Sequence, residues 1–205
     1  MKNVYPLFSI PLYSNNIDIS IKDNKFVSSQ KNKLMEPLKN GLLSSDNYIL
    51  NNIQLKNLKK DILKEVYFYV YEILNVKKEI KLYINNSWVL FHQSNHSAQS
   101  HYHLNSFISG VLYFKVPKNS GNIIFHSPHF NYCIYPRINI PFEKWNMYNT
   151  SIWTFPIQEK QLLIFPSNLF HSVENNLSNE TRICLSFNVL MKGDLSDTEI
   201  GEFKL

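Results

Sequence analysis

Short apolar runs, each ended by a turn signal, follow one another along the second part of the chain. From about residue 82 they are rich in β-branched and aromatic residues, and no helical repeat separates them. The runs are KLYINNSWVLF, FISGVLYFKV, GNIIFHS, SIWTFPI, QLLIFP and RICLSFNVL. Strands in such an arrangement are typical of an antiparallel sandwich or barrel, so the pattern predicts an all-β fold for this part of the chain.

The first part of the chain carries one strong helical repeat. Apolar residues recur at steps of three and four positions, at Leu55, Leu58, Ile62, Val66, Tyr69 and Ile73. This spacing predicts an amphipathic helix over about residues 53–76. We expect it to be a structural helix that packs on a sheet.

The segments before this helix give weaker signals. Residues 4–14 are expected to form an edge strand, because Pro6 and Pro11 limit its pairing with neighbours. Residues 15–50 are polar and irregular, and a short helix is expected near Lys31–Leu38.

These patterns predict one structural domain that is mainly β with N-terminal helices. Residues 1–80 supply a strand and helices packed on a barrel, residues 81–192 form the barrel itself, and residues 193–205 are a C-terminal tail. A chain of 205 residues is long enough to bury a sizeable core in one domain.

Composition and charge narrow the function classes only a little. The net charge of +5 comes largely from scattered lysines, and no basic stripe with interleaved aromatics indicates nucleic-acid binding. Cys133 and Cys184 lack a C-x-x-C spacing, so neither a zinc site nor a disulfide framework is indicated. The start of the chain is too short and too interrupted by proline for a signal peptide or a membrane span. We therefore expect a cytoplasmic protein with no membrane partner; an exposed edge strand could support a homodimer.

Histidine is the residue type that points to chemistry. Seven histidines occur, all between residues 92 and 171. His101 and His103 stand two positions apart, and on a strand that spacing places both imidazoles on one face. Two such imidazoles can share one metal ion, although iron, zinc, copper and nickel all accept this ligand. The alternative is a pair of histidines at the protein surface.

A third histidine lies far along the chain, near an arginine. His171 follows the apolar strand 162–165, and the turn ENNLSNET separates it from Arg182. We expect a hairpin that brings Arg182 back beside His171. A guanidinium group near a metal can bind a carboxylate with two hydrogen bonds, and a diacid such as 2-oxoglutarate would then connect the metal to Arg182. Taken alone, Arg182 could equally form an ordinary salt bridge.

The segments HYHLNSFISGVLYF, GNIIF, LLIFPSNLFHSVENN and TRICLSFN resemble the 2-oxoglutarate/Fe(II) oxygenases, over about residues 85–190. The similarity is greater to a bacterial and phage subgroup that carries an H-x-H motif. This resemblance implies a double-stranded β-helix (jelly-roll) barrel with Fe(II) as cofactor and 2-oxoglutarate as co-substrate. It also implies that His101 and His171 are iron ligands and that Arg182 anchors the distal carboxylate of 2-oxoglutarate. Tyr113 matches a position where some relatives place a hydroxyl on the same carboxylate, although a plain core tyrosine is an equal alternative.

One position departs from the usual pattern of the family. The family motif is H-x-D, whose carboxylate completes a facial triad, and here His103 occupies the place of the acid. Three outcomes follow: three histidines hold the iron, the middle position is vacant with His103 turned away, or activity is lost and binding retained. We expect three histidines, so the predicted metal ligands and catalytic residues are His101, His103 and His171.

Two other functions fit part of the pattern. A cupin-type metalloprotein that works without 2-oxoglutarate would share the barrel, the H-x-H pair and the late histidine. It would lack the acidic residue expected soon after His103, and it would leave Arg182 without a task. A non-catalytic binding protein on a decayed barrel would explain the histidine in the position of the acid.

A long aromatic insertion could add to the site. Residues 136–153 contain prolines and aromatic residues between two predicted strands, and loops of this length are often functional. Trp145, Tyr148 and Trp153 could line a pocket there, or pack in the core. His126 and His129 flank Pro128 before the insertion; a surface position, a pocket lip and metal ligation are their three alternatives, in that order.

Overall fold

A computed structural model describes residues 3–6, 8–30, 41–128, 141–196 and 204. In this part of the chain, two α-helices span Ile21–Ser29 (α1) and Lys56–Tyr67 (α2). The strands, in chain order, are β1 Tyr13–Asn16, β2 Leu42–Leu43, β3 Lys81–His92, β4 Ala98–His101, β5 Ile108–Lys115, β6 Ile123–His126, β7 Ile152–Phe155, β8 Gln161–Pro166, β9 His171–Val173 and β10 Arg182–Lys192.

The strands form two antiparallel sheets. One has six strands in the order β1-β8-β5-β10-β3-β2, and the other has four in the order β4-β9-β6-β7. Along the chain, β3, β5, β8 and β10 enter the six-stranded sheet, while β4, β6, β7 and β9 enter the four-stranded sheet. A chain that winds back and forth between two sheets in this way is a double-stranded β-helix, or jelly roll. The predicted fold class is therefore confirmed.

The central strands β8, β5 and β10 of the six-stranded sheet are buried on both faces, which explains their nearly continuous apolar sequences. In β8, Leu162 and Ile164 belong to the core that contains helix α2, whereas Leu163 and Phe165 belong to the core between the two sheets. Helix α2 contributes its buried stripe of Leu58, Ile62 and Val66 to the first of these cores. The second core lines the interior of the barrel, where the candidate site lies.

The predicted helix over residues 53–76 is confirmed, with more varied geometry than the repeat indicates. A 3₁₀ turn at Ile53–Leu55 leads into α2, and Phe68–Ile73 continues it as a π-helical segment. None of the helices in the described ranges is long and apolar enough to cross a membrane.

The N-terminal predictions need correction. The edge strand is not residues 4–14 but β1, which starts at Tyr13 after the two prolines and pairs with β8 alone. The region 15–50 is not wholly irregular, because α1 forms there. Its start is fixed by a capping box in which the side chains of Ser20 and Asp23 bond each other's backbone N–H groups. The short helix expected near Lys31–Leu38 lies outside the described residues, and the division at residues 80 and 192 stays a prediction.

Candidate metal centre

Three histidines from distant parts of the chain come together at one cavity of the barrel, with His171 buried, His103 half-buried and His101 exposed. His101 is the last residue of β4 and His171 is the first of β9, and the two are directly paired across the four-stranded sheet. One ring nitrogen from each of His101, His103 and His171 lies within 4.8 Å of the other two. Such a group has the size and ligand type of a site for one divalent transition-metal ion.

His103 reaches this point by a route that the sequence pattern did not predict. It does not lie on a strand with His101, because β4 ends at His101 and His103 stands in the connection to β5. Its backbone N–H donates to the carbonyl of Ser167 at 2.9 Å, which holds this connection against the end of β8. The rings of His101 and His103 still lie 5.4 Å apart, centre to centre. The ring of His103 is thus turned toward those of His101 and His171 and not away from them.

Hydrogen bonds set the tautomer of all three rings. Nδ1 of His101 lies 2.7 Å from the carbonyl oxygen of Gln99, and Nδ1 of His171 lies 2.9 Å from that of Leu169. Nδ1 of His103 lies 2.6 Å from the side-chain oxygen Oδ1 of Asn188. Since each of these oxygens can only accept, each Nδ1 carries the proton and each Nε2 keeps its lone pair. Imidazoles that bind metals in proteins have this outer hydrogen bond almost without exception.

The environment also keeps two of the rings uncharged. The pKa of His171 is lowered to about 3, mainly by burial; the neighbouring histidines contribute to the decrease, and the hydrogen bond with the backbone of Leu169 opposes it. Burial is likewise the main reason that the pKa of His103 is lowered. Metal ions bind neutral imidazole, so these two histidines are ready to act as ligands at neutral pH. The donor set therefore fits a bound divalent cation.

Arg182 is a buried cation with unused hydrogen-bond donors. Its side chain is 1% exposed, and Nη1 donates to the carbonyl oxygens of Ser120 and Gly121 at 2.6 and 3.1 Å. Nε and Nη2 are buried and have no hydrogen-bond partner among the described residues. Within the same residues, Arg182 forms no ion pair. Burying a charge without a partner costs several kcal/mol, so this arrangement favours an anionic ligand.

The predicted hairpin between His171 and Arg182 is wrong. β9 pairs with β4 and β6 in the four-stranded sheet, whereas β10 pairs with β3 and β5 in the six-stranded sheet. The turn that follows β9 therefore carries the chain from one sheet to the other. Asn176 fixes this crossing, since its side-chain amide donates to the carbonyl oxygens of His92 and Glu180. The side chains of His171 and Arg182 nevertheless line the same cavity, because both point into the space between the sheets.

That space is a cavity of about 230 Å³. Its wall is apolar over most of its area and is lined by the three histidines, Arg182, Tyr113 and Cys184, among others. No acidic side chain lines it among the described residues. Tyr113 is fully buried beside Arg182, and burial raises the pKa of its phenol far above the usual range. The predicted site residues therefore share one cavity, in which Arg182 is the charged group among the described lining residues and the three histidines are the metal-binding group.

The remaining candidates do not join the metal group. His126 lies on β6, and its Nε2 is 3.0 Å from the hydroxyl of Ser172; His129 lies outside the described residues. Trp145, Tyr148 and Trp153 are all about half-exposed or more, and none of them lines the cavity. Trp153 pairs directly with Phe125, which in turn pairs with His171. The indole therefore stands on the same face of the sheet as His171, at the open edge.

Two residues next to His103 were missed at the level of sequence. Asn188 lies inside the apolar run RICLSFNVL, where a buried amide must find a partner, and that isolated polar residue is the signal that could have identified it. Trp88 lines the cavity and its ring lies 5.8 Å from that of His103. An aromatic residue in a strand gives no comparable signal, because core packing explains it equally well.

Comparison with known proteins agrees with this geometry. The fold is similar to HygX from Streptomyces hygroscopicus, solved with nickel, 2-oxoglutarate and hygromycin B bound (TM-score 0.58, 10% identity, 88% of this chain and 82% of that chain). It is also similar to a prolyl-4-hydroxylase from Pseudomonas putida (0.57, 9%, 91% and 96%) and to the non-haem α-ketoglutarate-dependent epimerase SnoN of nogalamycin biosynthesis (0.61, 10%, 88% and 78%). At these identities the likeness shows the fold. No curated protein matches the sequence.

A family described as "Putative 2OG-Fe(II) oxygenase" matches residues 86–188, which is half of the chain. The match contains the H-x-H pair, the late histidine and the arginine of the cavity. This match supports the oxygenase expected from the sequence and not the cupin alternative. The chain belongs to this family of oxygenases, whose cofactor is Fe(II) and whose co-substrate is 2-oxoglutarate.

Proposed function

We propose that His101, His103 and His171 hold Fe(II) through their Nε2 atoms and that Arg182 binds the distal carboxylate of 2-oxoglutarate. The three fixed tautomers support the first part, because they leave each Nε2 with a free lone pair, and one ring nitrogen of each histidine lies within 4.8 Å of the other two. In this proposal the 2-oxo acid end of the co-substrate faces the metal. The same cavity holds both halves of the site.

The buried guanidinium of Arg182 is the observation that carries the proposal. Its unpartnered Nε and Nη2 can donate two parallel hydrogen bonds to one carboxylate. A dianion placed between Arg182 and a divalent metal would balance charge that the described cavity residues leave uncompensated. The phenol of Tyr113, kept neutral by burial, would donate a further hydrogen bond to the same carboxylate.

Bound Fe(II) supplies the oxygen chemistry: dioxygen gives one atom to 2-oxoglutarate, which leaves as succinate and CO2, and one atom to a substrate C–H bond, which becomes C–OH. The protein contributes geometry and shielding. The three histidines would hold the metal, and its remaining coordination positions would be left to the co-substrate and dioxygen. The apolar wall around them, which includes Phe165 and Val111, excludes water from the reacting groups.

The substrate site would lie outside this cavity, because 2-oxoglutarate fills much of about 230 Å³. We place it at the open edge of the four-stranded sheet, where the half-exposed indole of Trp153 stands in the same cross-strand row as His171. Either a small molecule or an exposed group of a macromolecule could be oxidised there. We expect no nucleic-acid or membrane partner, and an exposed edge strand could support a homodimer. A cytoplasmic location fits the need for iron in its reduced state.

The test is succinate formation from 2-oxoglutarate by purified protein, with and without Fe(II) and in the presence of ascorbate. Uncoupled turnover should appear only with Fe(II), and His171→Ala should abolish it. Absence of turnover together with absence of 2-oxoglutarate binding would remove this function and leave the non-catalytic barrel.

A further inference from the structure

His103 differs from His101 and His171 in the group that fixes the orientation of its ring. His101 and His171 donate to backbone carbonyls two residues away, so their tautomers are set locally. His103 stands in a connection between strands, and its Nδ1 bonds to the side chain of Asn188 on β10 instead. The ring of His103 therefore depends on a residue that is distant in sequence.

Asn188 is placed for this contact by strand register. It pairs directly with Ser109 of β5, so the two side chains emerge on the same face, inside the barrel. Both are buried, with 6% and 1% of their surface exposed. The hydroxyl of Ser109 lies 2.7 Å from Oδ1 of Asn188 and 2.8 Å from Nδ1 of His103. The three side chains form a closed triangle of short contacts.

A chain of hydroxyl groups extends from this triangle back to the connection that carries His103. Ser109 lies 2.8 Å from the hydroxyl of Ser167, which donates to Ser106 at 2.8 Å. Ser106 in turn donates to the carbonyl oxygens of Ile108 and Val189. Because Ser106 stands three residues after His103, this series of hydroxyl groups fixes both the ring of His103 and the backbone that carries it.

We propose that Asn188 is a positioning residue that makes His103 a metal ligand, with Ser109 as its support. This inference rests on the proposed function. The amide oxygen accepts the Nδ1 proton, which directs the lone pair of Nε2 toward the metal. The usual carboxylate ligand is absent from this site. Because the amide of Asn188 is neutral, it fixes the ring of His103 and adds no negative charge in place of that carboxylate.

The charge of the acceptor gives the proposal a distinctive consequence. An aspartate at this position would still accept the proton, but it would draw the proton further from the ring and make the imidazole a stronger electron donor. We therefore expect Asn188→Asp to keep metal binding and to lower the Fe(III)/Fe(II) reduction potential. An unchanged potential in N188D would show that the side chain at position 188 does not act on the iron through His103.

The experiment is an anaerobic titration of the metal-free protein with Fe(II) alone against a chelating dye. Asn188→Ala should bind Fe(II) about 10–100-fold more weakly than the wild type, and N188D should recover most of the loss. The matched control is Asn176→Ala, since Asn176 is also fully buried and hydrogen-bonded but contacts no triad histidine. Far-UV circular dichroism of each variant establishes that it is folded.

Unchanged Fe(II) affinity in folded N188A, or an equal loss in N176A, would overturn the role of Asn188 and leave the metal site intact. If N188A does not fold, the potential of N188D decides: a decrease supports the role, and a value equal to the wild type overturns it. Failure of the wild type itself to bind Fe(II) would instead overturn the proposed function, and the inference with it.

Discussion

His171 and Arg182 lie in different sheets of the barrel, and their side chains line the same cavity between the sheets. The arrangement joins a metal-binding group to a buried cation without any acid between them in the described cavity wall. A co-substrate with a carboxylate at each end can bridge such a pair. The separation of the two groups on two rigid sheets would keep the length of that bridge fixed.

Arg182 should therefore control the affinity for 2-oxoglutarate and leave metal binding unaffected. Arg182→Gln removes two charge-assisted hydrogen bonds, each worth roughly 1.5–3 kcal/mol, so the dissociation constant should rise by about 100-fold or more. Calorimetric titration of 2-oxoglutarate into Mn(II)-loaded protein measures this. Arg182→Lys, which keeps the charge but not the fork, should fall between R182Q and the wild type. Equal affinity in R182Q and the wild type would show that the carboxylate binds elsewhere.

The three histidines should be individually necessary for tight metal binding. His101→Ala, His103→Ala and His171→Ala each remove one of three ligands, so the Fe(II) affinity of each variant should fall by more than about 100-fold, beyond the loss for an outer-sphere change. His126→Gln is the matched control, because His126 is half-buried nearby but bonds to Ser172 instead. The account of the triad would be wrong if H103A retained the affinity of the wild type.

The metal-free protein should lose stability at acid pH. The pKa of His171 is about 3 in the fold against an ordinary 6.5, so below pH 6.5 the unfolded chain takes up a proton that the folded chain refuses. The free energy of unfolding should therefore fall as the pH drops from 6.5 toward 3, by up to about 1.4 kcal/mol per pH unit for this one group. Urea unfolding at several pH values measures it. His171→Gln should show a shallower dependence, and an unchanged slope in that variant would contradict the assignment.

Gly110 should tolerate no side chain. A Cβ there would lie 2.2 Å from Cζ of Phe187, whose ring is fully buried against β5. Gly110→Ala should destabilise the protein by about 1–3 kcal/mol or more, because the packed core cannot yield space. Phe187→Leu makes room, so the double variant should lose less than the sum of the two single losses in urea unfolding. Strict additivity of the two losses would argue against this contact.

The sequence predicted most of the barrel because its strands are buried on both faces. The apolar run QLLIFP indicates a buried strand, and the bounds of β8 agree with this prediction. β4 and β9 are not among the predicted β-rich runs, because the first is polar and the second has three residues. Their existence depends on the pairing of His101 with His171, which no local pattern reveals.

The site was predicted in its residues more than in its geometry. Local spacing placed His101 and His103 on one strand and His171 and Arg182 on one hairpin, and both placements were wrong. Hairpin reasoning assumes that consecutive strands pair, whereas a jelly roll sends consecutive strands to opposite sheets. The residues still converge because the interior of the barrel is small. Asn188 is an example of what the sequence could not predict, because its partner is found only through the register of β10 with β5.

The most direct measurement is an anaerobic crystal structure of the protein with Mn(II) in place of Fe(II) and with 2-oxoglutarate. The account predicts one metal ion on Nε2 of His101, His103 and His171, with the 2-oxo acid chelating it and the far carboxylate on Nε and Nη2 of Arg182. An ion bound without His103, or a co-substrate whose far carboxylate does not touch Arg182, would contradict it.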